Sequence, residues 1–82
     1  MQNALIGPSV PEGPQYIAAF EYDASDNPIY IGFAPLGTAK SAARWQIRKI
    51  TWSGSNPVDI QFAGGLPTFH AVWNDRASLS YS

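Results

Sequence analysis

Cysteine is absent from this sequence, and histidine occurs once, at position 70. The first absence excludes a disulfide framework, a thiolate zinc site and a cysteine nucleophile together. The second forces any acid–base or metal proposal through a single imidazole. Charge is scarce as well. Five Lys and Arg against six Asp and Glu leave a formal charge of −1, and charged residues make up 13% of the chain, about half the usual share. That balance argues against a dedicated nucleic-acid binder, which needs a basic excess because phosphate contacts dominate its affinity. No apolar run approaches the roughly 20 residues of a membrane helix. The first residues, Met1 to Pro8, have neither the cationic start nor the sustained apolar stretch of a secretory signal, so secretion by that route is not expected.

Against these absences, 45% of the residues are hydrophobic and 13% aromatic, which opposes disorder over most of the length. Seven Gly and seven Pro in 82 residues punctuate the chain too often for long helices. The length fits one domain. Chains below roughly 70 to 80 residues usually need a disulfide, a metal or a partner for a comfortable stability margin. With no cysteine and one histidine, a partner subunit is the remaining common staple.

Residues 1–14 carry Pro8, Pro11 and Pro14 at intervals of three, with Gly7 and Gly13 between. Each proline removes a backbone donor and fixes φ, so this stretch reads as an extended N-terminal arm ahead of a single small β-rich domain over residues 15–82. It is either a frayed terminus or an arm that docks on a neighbour. Leu5, Ile6 and Val10 make it more apolar than a solvated tail requires.

From Gln15 onward the pattern becomes one of alternation. Tyr16, Ala18, Phe20 and Tyr22 share a face at a period of two, as do Ile29, Ile31 and Phe33 after the turn Asp23-Ala24-Ser25-Asp26-Asn27-Pro28. This predicts a β-hairpin. Residues 44–52 are compatible with two geometries. A strand sets Trp45 and Ile47 opposite Arg44, Gln46 and Arg48, whereas a helix groups Ala43, Gln46, Ile47 and Ile50. The Trp, Ile and Thr content, the turn at residues 53–57 and the alternating Val58, Ile60, Phe62 favour the strand and a second hairpin. After Gly64-Gly65, Thr68 is placed to cap a short helix near residues 68–75, and Ser78 to Tyr81 read as a closing strand. The expected fold is mainly β, a small five-stranded barrel or sandwich.

Little of the sequence carries catalytic chemistry. His70 and Asn74 are four apart on the expected helix, but no second ligand or elbow serine accompanies them, so a solvated or structural histidine is the expectation. Asp23, Ser25 and Asn27 imitate the opening of a calcium loop. The imitation fails at Pro28, which replaces the required glycine, and at Ala34, where a bidentate glutamate belongs. Side chains bonding their own backbone explain the turn. Gly64-Gly65 lacks the lysine and frame of a phosphate loop. No catalytic residue, cofactor or metal is expected.

Lys40, Arg44, Arg48 and Lys49 place four of the five basic groups within ten residues, beside Trp45 and Trp52. Interleaved cations and aromatics bind single-stranded nucleic acid in some small barrels, so residues 40–52 carry that alternative. Arg and Trp are also enriched at protein–protein hot spots, and with an acidic chain the interface reading is favoured. The expected anchors are Leu5, Ile6 and Val10 of the arm together with Arg44, Trp45 and Arg48 of the basic strand. In Val72-Trp73-Asn74-Asp75-Arg76, Trp73 is expected to close the open end of the sheet, and Asp75 and Arg76 to serve structure.

The stretches Tyr30-Ile31-Gly32-Phe33-Ala34, Gly37-Thr38-Ala39, Trp45-Gln46-Ile47-Arg48-Lys49-Ile50, Phe62-Ala63-Gly64-Gly65 and Val72-Trp73-Asn74-Asp75-Arg76-Ala77-Ser78 resemble those of small proteins of tailed bacteriophages and prophages. The likeness runs from about Tyr16 to Ser82. It implies a non-enzymatic virion component, in the capsid, neck or tail, assembled in the host cytoplasm beside other virion proteins and in multiple copies. It carries over no catalytic residue. A phage-encoded β-barrel that binds single-stranded nucleic acid, and a host-directed inhibitor, are the alternatives.

Overall fold

In a computed structural model, residues 15–82 are described. The arm over residues 1–14, with Leu5, Ile6 and Val10, lies outside them. Four antiparallel strands follow one another as neighbours: β1 (Tyr16–Tyr22), β2 (Pro28–Pro35), β3 (Ala43–Ser53) and β4 (Asn56–Phe62). A two-residue strand, β5 (Ala71–Val72), pairs with the N-terminal end of β3, and a 3-10 helix (Trp73–Ser78) follows. Residues 44–52 are therefore strand.

Local chemistry sets both hairpin turns. In the first, the Asp23 carboxylate accepts from the backbone N–H of Ser25 at 2.8 Å and of Asn27 at 3.0 Å, and Asp26 takes the positive φ of 65° that Asp tolerates better than most residues. In the second, Gly54 supplies φ 62° at the first position of a two-residue loop, the requirement of a type II′ turn matched to strand twist. The two tips lie side by side. Trp52 Nε1 donates to the Pro28 carbonyl at 2.7 Å, and Asn27 Nδ2 donates to that of Gly54 at 3.3 Å. Prolines sit where a ladder donor is dispensable. Pro28 and Pro35 bound β2, and Pro57 lies in edge strand β4 beside the bulge at Thr51/Trp52.

Among the described residues, only one face of the sheet is covered. Ile17 and Ala19 of β1, Tyr30, Gly32 and Ala34 of β2, Trp45 and Ile47 of β3, and Ala63 after β4 turn toward Ala71, Trp73, Leu79 and Tyr81. Trp45 and Trp73 meet at 5.8 Å between ring centroids, with planes inclined 39°. The sequence leaves room for them: a Cβ on Gly32 would lie 2.6 Å from Trp73 Cε3. Trp45 Nε1 donates to the Ala39 carbonyl at 3.0 Å, so its buried polar atom is satisfied. Trp73 thus packs beneath the middle of this face, under Gly32 and Trp45, and not over an open end of the sheet as expected.

Three further details depart from the sequence reading. The sheet does not close into a barrel, because β1 and β4 both remain edges. Closure would place the inward positions Asp59 and Gln61 of β4 in a dry interior, a costly burial without partners. The helix lies at residues 73–78 instead of 68–75, and Val72 precedes it with no side-chain cap. Burying Ala71 against β3 draws residues 71–72 into strand pairing and delays the helix, while the Thr68 hydroxyl meets His70 Nδ1 at 2.8 Å. The closing strand reduces to a bridge between Ala63 and Tyr81, flanked by Gly64 N–H to the Ser80 carbonyl at 2.7 Å and reciprocal bonds between Phe62 and Ser82. Leu79 and Tyr81 turn into the core there, ending any longer ladder.

Candidate functional site

The opposite face of the sheet has no covering layer among the described residues. Since directly opposed residues in an antiparallel ladder share a face, the register defines it. One transverse row, Phe20 to Ile31 to Arg48 to Phe62, crosses all four main strands. A second runs Ala18, Phe33, Gln46, and Ile50 opposes Ile60 nearer the hairpin tips. Tyr16, Tyr22 and Val58 extend the surface along the two edge strands. Phe20, Tyr16, Ile60 and Val58 are 50%, 50%, 53% and 60% exposed. Exposed apolar side chains gathered on one face make it the candidate interaction surface.

Arg48 is the cation at the middle of this face. Its guanidinium carbon stands 5.1 Å from the Phe33 ring centroid and 5.3 Å from that of Phe62, within cation–π range of both. Its Nε donates to Gln46 Oε1 at 3.1 Å, and Gln46 Nε2 donates to the Pro67 carbonyl at 2.7 Å. This chain of bonds buries Gln46 and ties the 64–70 loop onto the face. Phe69 of that loop stacks on Tyr16 at 5.4 Å. A groove of about 440 Å³ results, bordered by Tyr16, Phe33, Gln46, Arg48 and Phe69.

The expected anchors separate. Arg44 is exposed, as predicted, and Arg48 is half-buried on the outer face. Trp45 has 0% exposure, so it belongs to the core and meets no partner: its strand position points it toward Trp73, away from both arginines. The basic cluster is divided as well. Lys49 faces the inner side, its Nζ 5.9 Å from the Tyr81 ring centroid, and Trp52 is engaged with Pro28. Residues 40–52 thus do not present their cations as one patch. The alternation of β1 already grouped Tyr16, Phe20 and Tyr22, and what it lacked was the sign of the face.

The ionisable groups beneath the sheet serve packing. Arg76 Nε donates to Glu21 Oε1 at 2.6 Å, Arg76 also bonds the Trp73 carbonyl at 3.1 Å, and its guanidinium lies 4.5 Å from the Trp73 ring centroid. Tyr81 donates its hydroxyl to the Arg76 carbonyl at 2.8 Å. Burial pushes the Tyr81 phenol up to about 12, with Tyr30 adding to the shift and Arg76 opposing it. His70 is exposed, with Nδ1 near the Thr68 hydroxyl and carbonyl. Among the described residues, no three His, Asp or Glu gather as metal ligands would.

No protein-family model matches the chain, and comparison with curated proteins and with solved structures finds no match to either.

Proposed function

We propose that this protein is a non-enzymatic structural component of a bacteriophage virion and docks on other chains of a repeated assembly through the outer face of its sheet. The observation that carries the docking reading is the row Phe20, Ile31, Arg48, Phe62, an apolar band around one cation on a face that the described residues leave uncovered while they pack the other. Aromatic side chains and arginine are the usual anchors of protein interfaces. The polar ends of Gln46 and Arg48 are joined to each other and to Pro67, which suits contact with an apolar partner. The virion location rests on the likeness of residues 16–82 to phage proteins. A non-enzymatic role is supported by an exposed His70 whose hydrogen bonds, among the described residues, go to Thr68 and to no carboxylate.

The test is cosedimentation with purified particles. Wild-type protein is expected to band with virions, and Phe20→Asp and Ile60→Asp are expected to fold yet stay in the supernatant. Free wild-type protein alongside intact particles rejects the location. A second reading has one observation in its favour: exposed aromatics on a sheet face beside an arginine also stack single-stranded bases. Salt-sensitive retention on single-stranded DNA, lost in Phe20→Asp, would establish that reading in place of docking.

A further inference from the structure

We propose that the groove on the outer face receives the N-terminal residues 1–14 of a second copy of this chain, so that each copy supplies a ligand and a receptor and the copies join head to tail. The inference deepens the docking reading and rests on it, but it is independent of the virion location.

Charge complementarity identifies the occupant. The described residues hold one ion pair, Glu21 with Arg76, and Arg48 meets Gln46 and two aromatic rings but no carboxylate. Residues 1–14 contain Leu5, Ile6 and Val10 together with a single charged side chain, Glu12. An apolar segment with one carboxylate thus matches an apolar face with one central guanidinium. The match also disfavours apposition of two identical faces centred on this row, which would bring two arginines together.

Length allows a neighbouring copy as receptor. Extended backbone advances about 3.1 Å per residue, so fourteen residues reach roughly 43 Å. The four main strands, about 4.8 Å apart, span only about 14 Å from β1 to β4. Residue 15 still belongs to the β1–β2 ladder, since Leu36 N–H donates to the Gln15 carbonyl at 2.9 Å. The segment therefore starts from an edge strand with reach to spare beyond its own sheet, and a chain this short without cysteine has its missing stability margin to gain from a second copy. A docked segment supplies the aliphatic groups that this face lacks a cover for, and its carboxylate reaches the remaining guanidinium donors of Arg48.

The experiment compares full-length protein, protein lacking residues 1–14, and a synthetic peptide of residues 1–14. Full-length protein is expected to self-associate with rising concentration in analytical ultracentrifugation, the truncated core to stay monomeric, and the peptide to bind the core saturably. Arg48→Glu in the core should weaken peptide binding at least tenfold, and a peptide carrying Glu12→Arg should restore it. That restoration also shows that the variant core is folded. Self-association of the truncated core equal to that of full-length protein would overturn the proposal in favour of face-to-face packing. A monomeric full-length protein whose groove does not bind added peptide would overturn it in favour of an arm folded onto its own sheet. Loss of virion binding in Phe20→Asp with no peptide binding would leave the docking reading standing and reject this occupant.

Discussion

A methyl group added at Gly32 would fall 2.6 to 3.0 Å from carbons of Trp73 and Trp45, both buried and with little room to retreat. Gly32→Ala is therefore expected to destabilise the fold by about 1 to 3 kcal/mol, the usual range for overpacking a well-filled core. The measurement is urea unfolding, where the midpoint should fall at unchanged slope. Tyr81 has a different signature. Its phenol is held neutral to a higher pH in the folded protein, about 12 against 10.0 for the free group. Above pH 10 the unfolded chain loses this proton first, so stability is fully present below about pH 10 and declines as pH rises toward 12. Urea midpoints at pH 9 and pH 11.5 should differ for the wild type, and Tyr81→Phe should narrow the difference. His70→Ala is the contrasting case. An exposed ring hydrogen-bonded to Thr68 should be replaceable within about 0.5 kcal/mol, and a larger loss would mean that the 64–70 loop depends on that contact.

The elements differ in how plainly their sequences announce them. Alternation in residues 16–22 and 58–62, with Asp23 and Gly54 at the turns, was enough to place both hairpins, because those signals act within a few residues. Gly54→Ala should accordingly cost on the order of 1 kcal/mol, since φ 62° is strained for a residue with a Cβ. Thermal unfolding of the variant checks this. Which face of β1 and of β2 turns inward was not legible. In β2 both sets are apolar, and the inner one contains the smaller Gly32 and Ala34 while Ile31 and Phe33 lie outside. Size pointed the wrong way because the space beneath β2 is occupied by two indoles supplied from residues 45 and 73. The C-terminal elements were misjudged for a related reason. A two-residue strand has no period to detect, and Ala71 pairs with Trp45, 26 positions earlier in the chain, a contact no local signal encodes. Arg48 was chosen from composition. Its place between Phe33 and Phe62 follows only from the register of three strands.

Among the described residues, the sheet is sealed on one side by residues 71–82 and uncovered on the other. The two arginines of β3 should respond differently to charge reversal. Arg44→Glu, at an exposed position, should change stability by less than about 0.5 kcal/mol. Arg48→Glu loses two cation–π contacts, worth roughly 0.5 to 1 kcal/mol each at such sites, and should also abolish docking. Denaturation curves and virion cosedimentation of the two variants, side by side, separate these effects. The pairing of Trp45 with Trp73 has an optical consequence. Two indoles with centroids 5.8 Å apart and planes inclined at 39° couple their electronic transitions, so the folded protein should show an exciton couplet in the far ultraviolet. Strand signals there are weak, and the couplet will dominate the circular dichroism spectrum. A variant such as Trp73→Phe should then lose the couplet while the fluorescence of its buried Trp45 stays blue-shifted, so for this protein loss of ellipticity alone does not distinguish the separation of two rings from the melting of the sheet.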